Sequence, residues 1–303
     1  MEGAIRGAAA AGIVIISPNQ NQKHEEYALK QVIHVIEPGS LSRNFWADLW
    51  SYRELFFVLA WRDISVRYKQ TVIGLLWAVL RPFLAMIVFT IVFGRIAGLP
   101  SEAGAPYALM VFAALLPWNL FSSSLGEASN SLINNSNLIS KIYFPRVIIP
   151  AAAIGTSLVD FVVSLVILFG LMAWYQFAPG WQILLLPVFI VMAALAALGL
   201  GLYLSALTAR YRDFRYAIPF LLQLGLYLSP VGFSSSIVPA QWHLVYSLNP
   251  LVGIIDGMRW CILRGETAID WTAVLISSIV IVLTLWVGVR QFRRTENMLV
   301  DVI

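Results

Sequence analysis

Two charged residues lie inside long apolar runs of the sequence, where a charge without a partner is costly. Arg81 falls within the run 72–93, and Asp160 falls within the run 147–174. An ion pair between these two side chains would lower the cost of removing each charge from water. We therefore hypothesise an Arg81–Asp160 pair inside the fold.

Arg81 shares one helical face with Trp77 and is followed directly by Pro82. A proline inside a helix leaves a carbonyl one turn earlier without its donor. A guanidinium can bind an anionic headgroup such as a pyrophosphate, and an indole beside it offers an aromatic surface. These residues, together with Asp160, are candidates for the inner mouth of a pore. Alternatively, the span begins later, and Arg81 only reaches the cytoplasmic interface with its long side chain.

The composition is that of a membrane protein. Of the 303 residues, 59% are hydrophobic and only 12% are charged, which excludes a soluble enzyme, a coiled coil or a disulfide scaffold. The single cysteine, Cys261, cannot form an intrachain bridge. No lysine follows a glycine, so no standard phosphate-binding loop is present, and the three histidines are scattered. We therefore expect no catalytic residue, metal or cofactor in this chain, and no nucleic-acid partner.

Apolar runs of membrane-spanning length dominate the chain beyond about residue 70. They predict an all-α integral membrane protein whose transmembrane domain occupies residues 71–289. The six predicted spans are Val72–Phe93, Tyr107–Glu127, Val147–Trp174, Ile183–Thr208, Ala217–Val231 and Trp271–Val289.

The stretch 232–262 is apolar but is broken by prolines and glycines. Its two pieces are each too short to cross a hydrocarbon core of about 30 Å. They can enter the membrane and return on the same side, provided that protein or water satisfies their backbone. We therefore predict a re-entrant helix pair over 232–262, before the last span.

Lysine and arginine are distributed unevenly between the loops. With the N-terminus in the cytoplasm, sixteen of the twenty fall in cytoplasmic segments and three in outer segments. Because positively charged loops stay in the cytoplasm, both termini are predicted to be cytoplasmic. Residues 1–40 are then a flexible cytoplasmic leader, and residues 290–303 are a cytoplasmic tail.

Residues 43–60 have an apolar arc and a polar arc at helical spacing. They predict an amphipathic helix in the membrane interface, which together with a connector occupies 41–70. Such a helix could be only an anchor, or its polar face could also bind a cytoplasmic partner. The amide-rich cytoplasmic stretch Ser129–Pro145 is predicted to form a short helix and a turn, which also suits docking.

Aromatic residues are frequent in the outer half of the predicted fold. Interfacial belts explain most of them. A subset that turns inward could stack on sugar rings, and the candidates are Tyr227, Phe233, Trp242 and Tyr246.

The order of these features resembles that of the permease subunits of type-2 ABC exporters, in the branch that exports O antigen, capsule and teichoic acid. The resemblance covers about residues 40–295, and no single motif decides it. The residues that carry it are Glu54-Leu55, Trp61-Arg62-Asp63-Ile64, Arg67-Tyr68-Lys69-Gln70, Gly74-Leu75-Leu76-Trp77-Ala78, Arg81-Pro82, Pro117-Trp118, Asn134–Pro145, Ser229-Pro230 and Asn249-Pro250-Leu251.

The resemblance implies a homodimer in the bacterial inner membrane, paired with two copies of a separate cytoplasmic ATPase that uses ATP and Mg. A lipid-linked polysaccharide would enter near Arg81 and leave through the channel, with 232–262 as the outer gate region. The implied channel residues are Trp77, Arg81, Pro82, Asp160, Tyr227, Phe233, Trp242 and Tyr246. The implied ATPase-docking residues are Asp48, Ser51, Glu54, Asn134, Asn137, Lys141 and Tyr143.

Two other functions remain open at this point. An exporter of the same architecture could carry a drug or a lipid instead of a glycan. A membrane-embedded glycan-processing enzyme would need acidic residues in its outer loops. The long outer segment offers only Asp256, Glu266 and Asp270 for that role.

Overall fold

The computed structural model describes residues 49–69, 72–102, 104–142, 144–265, 267 and 269–296, with the backbone alone at 72–75. Every regular element in these ranges is a helix, which confirms the all-α prediction. The predicted leader 1–40, the docking candidates Asp48 and Tyr143, and the end of the predicted tail lie outside these ranges.

The helices of the described residues follow the predicted order. The chain enters the last of them through Asp270, whose carboxylate accepts a hydrogen bond from the N–H of Thr272 at 2.9 Å. The α-helices are α1 (Arg53–Lys69), α2 (Val72–Phe89), α3 (Tyr107–Asn134), α4 (Ser136–Ile139), α5 (Ile148–Trp174), α6 (Leu186–Arg210), α7 (Phe214–Leu228), α8 (His243–Ser247), α9 (Pro250–Ile262) and α10 (Trp271–Glu296).

Five helical segments of the described chain are long and apolar enough to cross a membrane. A π-helical turn extends α2, and a 3-10 turn precedes α6. The segments are Leu76–Ile96, Tyr107–Asn134, Ile148–Trp174, Trp181–Arg210 and Trp271–Glu296. The remaining predicted span corresponds to α7, which has 15 residues and is about 22 Å long. A count of six spans therefore stays a prediction.

Helix α3 is the centre of the core. It packs against α2, α5, α6, α7 and α9, and its residues from Leu109 to Leu116 are almost fully buried. Glycines let α6 approach α3 closely, and let α10 approach α6 closely. A Cβ atom at Gly201 of α6 would lie 2.8 Å from the Cβ of Ala128, and one at Gly288 of α10 would lie 2.1 Å from the carbonyl oxygen of Gly199. Only small residues allow backbones to approach this closely.

A second apolar cluster joins α1 to the ends of the long helices. Leu59 and Ala60 of α1 pack with Ile139, Phe144 and Phe292. The helix continues to Lys69, beyond the residue 60 at which the amphipathic pattern ends, because no proline or glycine interrupts it. Its C-terminal end therefore reaches the side of α5.

The predicted re-entrant region consists of short elements. The 3-10 turns Ser235–Ile237 and Ala240–Trp242 lead into α8 and then into α9. Asn249 caps α9, because its side-chain oxygen accepts a hydrogen bond from the N–H of Leu251 at 3.1 Å. Pro250 is the first residue of that helix, where the missing N–H costs nothing.

Candidate functional site

A cavity of about 620 Å³ lies between α2, α3, α5 and α7, and we call it the polar cavity. It brings together four of the predicted channel residues, Trp77, Arg81, Pro82 and Asp160. Its other lining residues are Arg67, Ala78, Leu116, Trp118, Asn119, Leu120, Ser122, Ser123, Ser157, Phe161, Ser164, Pro219, Leu222, Gln223 and Leu226.

The carboxylate of Asp160 is held by the end of α1. Arg67 Nη2 lies 2.9 Å from Asp160 Oδ2, and the hydroxyl of Tyr68 donates a hydrogen bond to Asp160 Oδ1. Arg67 also lies 3.3 Å from the carboxylate of Glu127. Burial and the hydrogen bond to Asp160 raise the pKa of Tyr68, so its hydroxyl stays a donor. The hypothesis of an Arg81–Asp160 pair is wrong, because the continuation of α1 to Lys69 brings Arg67 to this carboxylate.

Arg81 is exposed and lines the cavity. Within the residues that the structure describes, it has no hydrogen bond or ion pair, so its guanidinium is available to an anion. Trp77 lies one turn earlier and is 48% exposed. The two side chains therefore offer a positive charge and an aromatic ring at the same opening.

Neutral polar groups line the wall that faces these charges. Ser122 and Ser123 of α3 donate hydrogen bonds to the carbonyl of Asn119. The hydroxyl of Ser157 is buried and has no hydrogen-bond partner among the residues that the structure describes. Hydroxyls, amides and aromatic rings around a cation suit a ligand that has both hydroxyl groups and negative charge. Sequence reasoning missed Asn119 and Ser157, because a single polar residue in a span gives no periodic signal.

The four outer channel candidates do not line the polar cavity. Trp242 and Tyr246 line a different cavity, described next, and Tyr227 is 60% exposed. Phe233 contributes its carbonyl to the arginine cluster below. The structure therefore divides the predicted channel set into an inner and an outer group.

The second cavity has a volume of about 700 Å³, and we call it the apolar groove. It lies between α3, α6, α7 and the region of α8 and α9, and none of the described residues that line it is charged. Its lining residues are Trp118, Phe121, Leu125, Leu200, Tyr203, Leu204, Ile218, Leu221, Leu222, Gly225, Leu228, Ser229, Val238, Trp242, Val245, Tyr246, Asn249, Pro250 and Leu251.

A buried arginine fixes the loop that follows α7. Arg259 of α9 is fully buried and donates hydrogen bonds to the carbonyls of Val231, at 3.0 Å, and Phe233, at 2.9 Å. The hydroxyl of Tyr107 donates to the carbonyl between them, that of Gly232. Glu102 lies 3.6 Å from the same guanidinium. Sequence reasoning counted Arg259 only as an outer charge, since an unpaired carbonyl leaves no signal in the sequence.

The described docking candidates lie around the second apolar cluster. Ser51 and Glu54 near the start of α1 are exposed, and so are Asn137 and Lys141 on α4 and the turn after it. Asn134 is exposed and accepts a hydrogen bond from Arg215 at 3.2 Å.

A polar contact connects the two segments that carry the docking candidates, α1 and the region of α4. Arg62 of α1 donates a hydrogen bond of 2.7 Å to the side-chain oxygen of Asn135, just before α4. The same guanidinium pairs with Asp63 at 2.7 Å. In the described part of the chain, no group of three or more His, Cys, Asp or Glu side chains could hold a metal ion.

Comparison with known proteins gives concordant matches. A family model described as "ABC-2 type transporter" matches residues 54–263. The O-antigen export system permease protein RfbA of Myxococcus xanthus is 28% identical over 255 residues, which cover 82% of this chain and 96% of that protein. A protein of the same name from Klebsiella pneumoniae is 24% identical over 254 residues, which cover 82% of this chain and 95% of that protein.

Proposed function

Because the chain belongs to the ABC-2 type transporter family, we propose that it is the channel-forming permease subunit of an ATP-driven exporter of lipid-linked polysaccharide. The exporter moves this cargo from the cytoplasmic side across the bacterial inner membrane. The similar RfbA proteins, which are named as O-antigen export permeases, support this cargo class. Hydrolysis of ATP with Mg belongs to a separate subunit.

The observation that carries the proposal is the set of side chains that line the polar cavity. Arg81 is available there to an anion, whereas Arg67 is paired with Asp160 and Glu127. The lipid phosphate of the cargo would contact Arg81, and the first sugar would lie against Trp77 and the polar wall of α3. Pro82 leaves a carbonyl of α2 without its helical donor, which adds an acceptor near the same opening.

The assembly we propose has two permeases and two ATPase subunits, with both permease termini in the cytoplasm. The ATPase would bind the surface formed by Ser51, by Glu54 of α1, and by Asn134, Asn137 and Lys141. Asp48 and Tyr143 remain predicted members of this surface. Movement of α1 would reach the cavity directly, since Arg67 and Tyr68 at its end hold Asp160.

Purification of the tagged chain from its native membrane in mild detergent tests the proposal. We expect an ATPase with a phosphate-binding loop to co-purify in equal amount, and the complex to hydrolyse ATP. Deleting the permease gene should abolish surface polysaccharide, as seen by immunoblot, while lipid-linked polysaccharide accumulates inside the cell. A chain that purifies alone, from cells whose surface glycan is unchanged on deletion, would overturn the proposal. Export of a drug or a lipid with unchanged glycan would favour the same-fold alternative.

A further inference from the structure

The polar cavity and the apolar groove share a wall. Trp118 of α3 and Leu222 of α7 line both of them. The two cavities therefore lie on opposite sides of α7 and meet where this helix approaches α3.

Helix α7 presents a different face to each cavity. Pro219, Gln223 and Leu226 line the polar cavity, and Leu221 and Leu228 line the groove. Of the 15 residues of α7, only Ile218 is buried. Because so little of this helix is packed into the core, a small movement of it would join the two cavities.

Gly225 makes the contact between α7 and α3 possible. A Cβ atom at this position would lie 2.9 Å from Cη2 of Trp118, so the indole lies against the bare backbone. The contact between this ring and this glycine therefore forms part of the wall between the cavities. Any larger side chain at residue 225 would displace the ring.

The two cavities have opposite chemistry. The polar cavity has Arg67, Arg81 and Asp160 in its wall, whereas the groove wall, as far as the chain is described, has no charged side chain. Both volumes lie within the range of about 300–1,000 Å³ that is usual for small-molecule sites. A ligand that fills both must have an anionic head and a long hydrocarbon part.

We propose that the apolar groove binds the hydrocarbon chain of a phosphate-bearing lipid whose headgroup lies in the polar cavity. Helix α7 separates tail from head, and the chain crosses from one cavity to the other where a movement of α7 opens its contact with Trp118. This inference rests on the proposed function and extends it, since it places the lipid part of the cargo within the protein. The wall that the groove shares with a cationic cavity favours this occupant over a bulk phospholipid, which needs no such neighbour.

Photolabelling of the full complex tests the inference. The complex is placed in nanodiscs of phosphatidylethanolamine and phosphatidylglycerol with a long-chain polyprenyl diphosphate that carries a diazirine at the chain end. We expect labelled peptides from the groove, around residues 200–204 and 242–251, and at least tenfold less label after addition of unlabelled polyprenyl diphosphate. A phosphatidylglycerol with a diazirine in its acyl chain is the comparison probe.

Two variants make the test specific. Gly225→Leu should lower labelling at least fivefold, whereas Gly170→Leu, at an exposed α5 position with open space around it, should leave labelling unchanged. If Gly225→Leu fails to fold, Leu228→Trp narrows the groove from an exposed position without that clash. Arg81→Gln should also lower labelling, because it weakens the head site.

The inference is overturned if both probes label the groove equally and without competition, since it then holds bulk lipid. It is also overturned if a disulfide forms between copies of Tyr203→Cys, which would show a second protomer covering the groove. If export proceeds but the competed label maps elsewhere, only the groove assignment fails. If the diphosphate probe neither binds nor stimulates ATP hydrolysis, the proposed function itself fails.

Discussion

Two arginine–carboxylate clusters in this molecule have similar residue types and opposite surroundings. In the inner cluster, Arg67 is 35% exposed and contacts Asp160 and Glu127 at the edge of a cavity. In the outer cluster, the Arg259 side chain is 1% exposed and holds backbone carbonyls, with Glu102 beside it. The inner cluster leaves a neighbouring cation, Arg81, open to a ligand. In the outer cluster, the buried guanidinium of Arg259 binds groups of the protein itself.

The difference shows what a charge in a membrane protein can do. A non-helical segment inside a membrane protein needs hydrogen-bond donors for its backbone carbonyls. One guanidinium can donate to two carbonyls at once. Such an arginine contributes to stability. An arginine that faces a cavity contributes little to stability and can bind a ligand.

Replacing Arg259 should have the largest effect on folding. Arg259→Met leaves two carbonyls and Glu102 without their donor, and removing one partner of a buried pair costs about 3–5 kcal/mol. We expect loss of the monodisperse protein, or a large fall in Tm in detergent. The control is Arg95→Met, at an exposed position in the first span. Unchanged Tm for Arg259→Met would contradict the role assigned to the outer cluster.

Arg259→Lys should have an intermediate effect. A lysine keeps the charge beside Glu102, but its single ammonium cannot reach both carbonyls with the geometry of the guanidinium fork. We expect a destabilisation of about 1–3 kcal/mol, the cost of one unsatisfied buried group. Thermal unfolding compared with Arg259→Met measures it, and equal losses in the two variants would show that charge plays no part.

Tyr107→Phe should cost about 1 kcal/mol, because it removes the hydroxyl that donates to the carbonyl of Gly232 and leaves the ring in place. The Tm of the purified protein gives the size of the effect. In combination with Arg259→Lys the effect should exceed the sum of the single losses, since both donors hold adjacent carbonyls. Strict additivity would mean that the two contacts are independent.

The inner ion pair should have the smallest effect on stability. Pairs that keep contact with solvent contribute about 0–1 kcal/mol, and the side chains of Arg67 and Asp160 are 35% and 20% exposed. A double-mutant cycle of Arg67→Met and Asp160→Asn, measured by thermal unfolding, should give a coupling energy within that range. A coupling energy of several kcal/mol would mean that the two clusters do not differ in how much they contribute to stability.

Much of this arrangement could be predicted from the sequence. The third predicted span differs from α5 by one residue at its start and ends at the same tryptophan, Trp174, because apolar length and flanking polar residues fix such bounds. The second predicted span ends at Glu127, and the helix that contains it, α3, continues for seven more residues to Asn134.

What could not be predicted depends on contacts between distant segments. Arg81 and Asp160 line one cavity, but the partner of Asp160 comes from α1, and no local pattern shows where the end of α1 lies. From the sequence alone, Arg259 is only one of the positive charges of the outer segments. The carbonyls that it binds belong to a segment 26–28 residues earlier, so no local pattern shows its role. The sequence does not reveal the groove for the same reason, since its lining residues come from five helices.

The most direct test of the account is polysaccharide export by Arg81→Gln, measured beside its Tm. We compare it with Arg95→Gln, an exposed arginine of the same span that lies outside the polar cavity. The account predicts at least a tenfold loss of surface polysaccharide for Arg81→Gln, with unchanged Tm and unchanged binding of the ATPase, and normal export for Arg95→Gln. Full export by Arg81→Gln would contradict the account.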